Sequence, residues 1–261
     1  MRILALDTSG PVAAVAVAER EDNGQVKLIG GFRLQSGFTH SQTLMPMLEH
    51  MMSLAAIDLS SVDYIAVASG PGSFTGLRIG ASCAKGLAFA LEKQIVPVPT
   101  LDAMAYQMAG VQGLVCPMMD ARRSQVYAGV YAFEDHDTMT TLLAPCAIAV
   151  TELIPVINRL YTERYGTEAT DGATRKDGTH LLTPAVSLIG DGVPVYFDTL
   201  REGLRVPYGR APFHRDRQSA EAVCALAIRL VREGKAVDAD TFAPVYLRPS
   251  QAEAESSERC L

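Results

Sequence analysis

Apolar runs of strand length open the chain and recur in its second half, and longer stretches between them carry apolar residues at helical spacing. Residues 2–7 (Arg-Ile-Leu-Ala-Leu-Asp) and 12–18 (Val-Ala-Ala-Val-Ala-Val-Ala) read as buried strands on either side of the turn Asp7-Thr8-Ser9-Gly10-Pro11. Asn23-Gly24 is a hairpin signal that leads to a third strand over 26–34, so the chain begins as an antiparallel meander. Over 39–56, Leu44, Leu48, Met51 and Ala55 keep helical spacing, with Thr39 or Thr43 as cap. Met45, Met47 and Met52 add apolar surface beyond that stripe, which suits an adaptable contact face as well as a buried helix. Pro46 is tolerated only in a first turn, so this helix should start late or bend.

A strand over 64–68 (Tyr-Ile-Ala-Val-Ala) then runs into the turn Gly70-Pro71-Gly72 and a helix rich in small residues that ends near 91. Strand, glycine turn and helix form the layout of a phosphate cradle. The block 70–76 lacks the Gly-Lys-Ser/Thr ending of a P-loop, however, and no lysine follows until Lys85. Ser73 or Thr75 reads instead as a helix cap. Gly76, Gly80, Ala84 and Ala88 fall on one helical face. A glycine inside a helix costs about 1 kcal/mol against alanine, so this face predicts close approach of another helix, from this chain or from a partner. A strand over 95–98 and a helix over 100–109 capped by Thr100 complete a first lobe, with Gly110 and Gly113 at its boundary.

The second half repeats the opening order. An apolar run over 114–119 reaches Asp120, a turn over 121–124 and a strand over 125–133, followed by a strand over 141–150 and a helix over 151–160. Residues 161–184 are polar and aperiodic and read as an exposed insertion loop. A strand over 185–189 ends at Gly190-Asp191-Gly192. A helix over 219–233 turns Val223, Leu226 and Leu230 inward and stops at Gly234. The domain reading is a first lobe over 1–110, a second over 111–250, and a polar tail over 251–261.

Composition narrows the chemistry. The chain has 261 residues, 48% hydrophobic and 20% charged, which suits one large domain or two modest lobes. The opening apolar run meets Asp7 after four residues, too soon for a leader or a membrane span, so the reading is a cytoplasmic protein without membrane contact. Cys83, Cys116, Cys146, Cys224 and Cys260 stand far apart and read as reduced thiols. The net charge of −6 disfavours autonomous nucleic-acid binding. The local basic candidates are Arg122-Arg123 and the interrupted set Arg201, Arg205, Arg210, Arg215 and Arg217. His40 and His50 lack the spacing of a helical metal pair, and His136, His180 and His214 are isolated, so no metal site is expected. No hydrolase constellation is apparent, and no catalytic residue is assigned.

Asp7-Thr8-Ser9 and Asp120 after paired strands suggest an actin-like two-lobe nucleotide fold, in which each lobe offers an acid and a small turn to Mg²⁺ and phosphates. Asp7, Thr8, Ser9, Asp120, Gly190 and Gly192 are the nucleotide-binding candidates. The second turn departs from the pattern, because Ala121 and Arg122 stand where glycine would let the backbone approach a phosphate.

With Ile3-Leu-Ala-Leu-Asp-Thr-Ser9, His40-Ser41 with Leu44 and Pro46, and Gly70-Pro-Gly-Ser-Phe-Thr-Gly-Leu-Arg-Ile-Gly80, the chain resembles the TsaB (YeaZ) family of tRNA threonylcarbamoyladenosine biosynthesis proteins. Asp120-Ala-Arg122, Gln125-Val-Tyr127, Pro244-Val-Tyr-Leu-Arg248 and Ala252-Glu253 complete the likeness, which has no counterpart for 161–184. The resemblance implies an α/β, actin-like (ribonuclease H-like) fold of two lobes, each a mixed sheet flanked by helices, with a degenerate nucleotide cleft. It implies a non-catalytic subunit that binds TsaD, with TsaE in the same assembly, a homodimer where TsaD is absent, and tRNA met only through the complex. The modified base is the adenosine 3′ of the anticodon in tRNAs reading codons that begin with A. No cofactor is required, while ATP or ADP can lodge at the joint surface with TsaD. Family pairing through first-lobe helices maps onto 40–56 and 74–91, with Met45, Met52, Gly76, Gly80, Ala84 and Ala88 as interface candidates. A peptidase reading of the family finds no catalytic residues here. The alternative is an active small-molecule kinase or ATPase of the same fold.

Overall fold

The computed structural model describes residues 1–135, 137–166 and 185–248. The chain forms two compact units, one of Met1–Ala103 with the segment from Gln218 onward, the other of Met104–Arg217. Each contains a five-stranded mixed sheet.

In the first unit, β1 (Arg2–Asp7), β2 (Ala13–Arg20) and β3 (Val26–Leu34) form the expected meander, and β4 (Tyr64–Gly70) and β5 (Gln94–Pro99) add in parallel on the other side of β1. The order is β3-β2-β1-β4-β5. Strand alternation sorts the two faces. Leu4, Leu6, Val15, Val17, Ile65 and Val67 pack with α1 (His40–Leu54) and α2 (Phe74–Leu91). The intervening small residues Ala14, Ala16 and Ala18 leave room for α7 (Ala220–Arg232) to lie on β1 and β2, with the Cys224 thiol 3.6 Å from the Ala16 carbonyl oxygen.

The second unit repeats this plan. β6 (Gly113–Arg122), β7 (Gln125–Phe133) and β8 (Met139–Ala149) form a meander, and β9 (Ala185–Ile189) and β10 (Tyr208–Arg210) add in parallel beyond β6. Its order, β10-β9-β6-β7-β8, is the first sheet read from the other end. The repetition suspected from 2–18 and 114–133 is thus a repetition of topology, and the expected α/β class of two lobes, each a mixed sheet flanked by helices, holds. The core of this unit packs Leu153, Ile154, Ile157 and Tyr161 of α4 (Val150–Tyr165) on β6, β7 and β9. Two short helices, α5 (Gly192–Val195) and α6 (Phe197–Gly203), add Val193 and Leu200. A helix α3 (Thr100–Tyr106) follows β5 directly.

Several boundaries differ from the sequence reading. The helix over 219–233 does not belong to a second lobe at 111–250, because α7 buries Val223, Cys224 and Ala227 in the first unit. The segment 161–165 is not loop: α4 continues to Tyr165, because Tyr161 finds the core and packs its ring, tilted, against Tyr165 with centroids 5.0 Å apart. The rest of the predicted insertion beyond Gly166, together with His136, His180, the tail 251–261, Ala252-Glu253 and Cys260, lies outside the described residues. Helix α1 does not start late at Pro46; it begins at His40 behind the N-cap Thr39, whose N–H donates to Gln42 Oε1 at 3.1 Å. Thr100 is the first residue of α3, and its Oγ1 accepts the Gly70 N–H at 3.2 Å. No helix among the described residues is long and apolar enough to cross a membrane.

Candidate functional site

The block over 69–91 is the organising element of the first unit, and its glycines serve close approach to the chain's own β1 turn. An added Cβ at Gly72 would lie 2.3 Å from the Ser9 carbonyl oxygen, and one at Gly76 would lie 2.0 Å from that of Thr8. At Gly80 it would meet Thr8 Oγ1 at 2.5 Å. Ala84 and Ala88 continue this face into the core and are fully covered. The face Gly76, Gly80, Ala84 and Ala88 is buried within its own unit, which corrects the sequence reading of it as a partner surface: the neighbour that its glycines admit is Thr8, through its carbonyl at Gly76 and its hydroxyl at Gly80. Met52 is likewise buried in the first core, whereas Met45 is 43% exposed.

The turn itself is tightly bonded. Ser9 gives both its N–H, at 2.9 Å, and its hydroxyl, at 2.6 Å, to Asp7 Oδ1. The Thr8 hydroxyl donates to the Gly76 carbonyl at 2.7 Å, and the Ser73 N–H donates to the Ser9 carbonyl at 2.7 Å. His40 Nε2 lies 2.8 Å from the Gly10 carbonyl oxygen, which ties the first turn of α1 to the same loop. Asp7 is buried, and burial pushes its carboxyl up to about 6, against the hydrogen bonds from Ser9 and the nearby His40. Beside this loop Gln218 is fully buried against Gly10, and both of its amide atoms are without a hydrogen-bond partner among the described residues.

The second unit brings Asp120, Gly190 and Gly192 together, as expected. An added Cβ at Gly190 would lie 2.2 Å from the Met118 carbonyl oxygen, and one at Gly192 would lie 3.2 Å from the Asp120 nitrogen. Asp120 is already engaged: its Oδ1 accepts the Arg122 N–H at 2.8 Å and the Tyr196 hydroxyl at 2.9 Å. Burial, and secondarily the bond to Asp120, push the Tyr196 phenol up to about 12. Asp191 is raised by burial, while its own N–H, that of Asp120 and the Arg217 guanidinium pull the other way. Its Oδ1 is buried without a partner among the described residues. Sequence reasoning missed Asp191, Tyr196 and Gln218; only Asp191, flanked by two glycines, carried a local signal.

In each unit the acid turn is closed by its own hydrogen bonds. A phosphate clamp needs backbone N–H groups aimed outward and acids open to a cation. Here the Ser9 N–H is spent on Asp7, Asp7 is buried, and Asp120 braces its own hairpin. Among the described residues no cluster of His, Cys, Asp or Glu is large enough to hold a metal.

Outside this region, the outer face of α2 is the notable surface. Thr75, Ser82, Gly86, Phe89 and Ala90 are exposed along it, opposite the glycines that face Thr8. Phe89 is 80% exposed, and nothing lies within 4 Å of a Cβ added at Gly86. Met45 and Leu54 are exposed on α1.

The family model described as "TsaD: tRNA N6-adenosine threonylcarbamoyltransferase" matches residues 35–256. A Bacillus subtilis protein named tRNA threonylcarbamoyladenosine biosynthesis protein TsaB is 36% identical over 52% of this chain and 57% of its own length. The chain thus spans little more than half the length of that curated relative. The Escherichia coli protein of the same name is 27% identical over 97% of this chain and 96% of its own. A Pseudomonas aeruginosa structure described as an uncharacterized protein with similarity to peptidase YEAZ superposes with a TM-score of 0.69 at 26% identity, covering 95% of this chain and 99% of that one. A second, described as YeaZ from the same organism, gives 0.65 at 26% identity, with 94% and 99% covered.

Proposed function

Because this chain belongs to the TsaD family of tRNA N6-adenosine threonylcarbamoyltransferases, we propose that it serves threonylcarbamoyladenosine synthesis in tRNA as a non-catalytic cytoplasmic subunit. In this reading it docks on the catalytic family member, TsaD, through the outer faces of α1 and α2, and in its absence pairs with a second copy through the same helices. TsaE joins the assembly, and tRNA is engaged within it. The absence of a catalytic role rests on the two acid turns, whose hydrogen-bonding capacity is turned inward.

One observation carries the docking reading. Gly86 sits in the interior of α2 with open space where its Cβ would be. An unsupported helix glycine costs about 1 kcal/mol, and nothing in its own unit makes use of the missing side chain. Close approach of a partner helix does, and the neighbouring Phe89, with Met45 and Leu54 on α1, supplies apolar area for it.

The test is co-elution of the purified chain with a TsaD protein. Gly86→Arg should abolish the complex without lowering the melting temperature of the isolated chain. A complex that forms equally well with that variant places the interface elsewhere. ATP turnover by the chain alone is the parallel measurement, and robust hydrolysis lost in Asp7→Asn would overturn the non-catalytic role.

A further inference from the structure

We infer that the β6–β7 hairpin tip is a contact for the phosphodiester backbone of RNA, with Arg122 and Arg123 as its two cations. The inference rests on the reading that this chain works in tRNA modification.

The hairpin is closed by Arg123 and Ser124, between the paired residues Arg122 and Gln125. Arg122, Arg123 and Ser124 all have positive φ, at 62°, 54° and 60°. A two-residue hairpin loop with both residues in this region normally carries Asn-Gly or Gly-Gly, because side chains with a Cβ crowd the following carbonyl. Here two arginines and a serine occupy successive left-handed positions. The conformation is over-determined by its surroundings: the Arg122 N–H donates to Asp120 Oδ1 at 2.8 Å, Tyr196 donates to the same oxygen at 2.9 Å, and the Val150 N–H donates to the Ser124 carbonyl at 3.2 Å. Backbone strain that persists under such bracing is a pointer to function.

The arginine side chains do not account for that strain within the molecule. Both are exposed, and neither takes part in an ion pair among the described residues. Arg159 and Arg201 of the same unit show the ordinary alternative, each on a helix with a carboxylate, Glu163 or Asp198, one turn away. The tip instead displays two adjacent guanidinium groups on a fixed base.

The geometry selects the ligand. An exposed hairpin tip has no walls to enclose a small anion, and exposed charge pairs in water are weak. A polyanion supplies its own regular spacing and releases counterions as each phosphate is neutralised, and a guanidinium meets phosphate oxygens through paired N–H groups. The net charge of −6 disfavours tight RNA binding by the chain alone; the tip adds a local contact to RNA held mainly by the assembly.

The test titrates a labelled RNA stem-loop into the full chain at low salt, and into the chain mixed with TsaD across a salt series. Arg122→Ala with Arg123→Ala should weaken binding about tenfold and lower the salt slope by about one to two. The control Arg201→Ala with Arg205→Ala removes the same charge and should change binding less than twofold. Replacing both tip arginines with lysine should retain most of the affinity, which also checks that the hairpin still folds. Unchanged RNA binding by the alanine pair, an equal loss in the control, or no measurable binding by the wild-type chain in either arm would overturn the inference. So would loss of TsaD co-elution with RNA affinity intact, which would make the tip a protein contact. Failure of the docking reading shows differently: the wild-type chain itself would not co-elute with TsaD, while the titration of the chain alone is still read.

Discussion

The Thr8 hydroxyl donates to the Gly76 carbonyl at 2.7 Å, while the Thr8 carbonyl oxygen sits 2.0 Å from where a side chain on Gly76 would begin. The first turn of α2 is thereby pressed onto the loop that follows β1. Gly76→Ala must push backbone against backbone and should destabilise the chain by about 2 kcal/mol or more. Gly86→Ala, on the opposite face, should stabilise it by up to about 1 kcal/mol. Chemical denaturation of the two variants measures both, and similar effects would contradict the assignment of inner and outer faces.

Asp7 makes stability depend on pH in an unusual direction for a carboxylate. Burial raises it from an ordinary value near 3.8 to about 6, so between these values the folded chain holds a proton that the unfolded chain has lost. The contribution is fully present below about 3.8 and is lost as pH rises through about 6, amounting to at most about 3 kcal/mol. Asparagine can still accept both hydrogen bonds from Ser9. Asp7→Asn should therefore be more stable than wild type at neutral pH, with the advantage shrinking as pH falls toward 4. Denaturation midpoints across that range check the sign.

The left-handed run at 122–124 predicts a stabilising substitution away from the core. Arg123→Asn with Ser124→Gly supplies the residues that positive φ favours and keeps the Ser124 carbonyl that accepts from Val150. The expected gain is about 1 kcal/mol, read from the denaturation midpoint. A loss would mean that side-chain contacts of Arg123 or Ser124 outweigh the strain.

Thiol reactivity should divide the cysteines by burial. Cys116 and Cys224 are 0% and 1% exposed, and burial pushes the Cys116 thiol up to about 12 and raises Cys224 as well. Cys83 and Cys146 are partly exposed. In a Cys260→Ser background, a thiol reagent should label Cys83 and Cys146 in the native protein and the other two only on unfolding. Mass spectrometry of the labelled peptides identifies them.

Much of this fold was legible along the chain because it is written in local periodicities. The strands over 2–7, 26–34 and 125–133 fall where their apolar runs lie, and Ser73 and Ser219 cap α2 and α7 as short polar residues before apolar stripes. The repeated strand–acid–turn order announced two copies of one topology. The departure of the second acid turn from a phosphate-binding pattern was also visible, in the absence of glycine after Asp120.

What needed the tertiary structure was direction. A stripe of small residues states that something comes close, and spacing alone does not say whether that neighbour is the chain's own backbone. Only the placement of Thr8 and Ser9 over Gly72, Gly76 and Gly80 turned the small face of α2 inward, leaving Gly86 and Phe89 on the outside. The return of α7 to the first sheet was equally hidden, because an amphipathic helix is satisfied by any apolar surface and the small Ala14, Ala16 and Ala18 that receive it lie about two hundred residues earlier in the sequence. The residues of 2–7 and 69–91 thus dictated a strand, a turn and a close-packed helix by themselves. Which face of that helix is sealed and which is left exposed was decided by long-range packing, where burial and not periodicity sets the outcome.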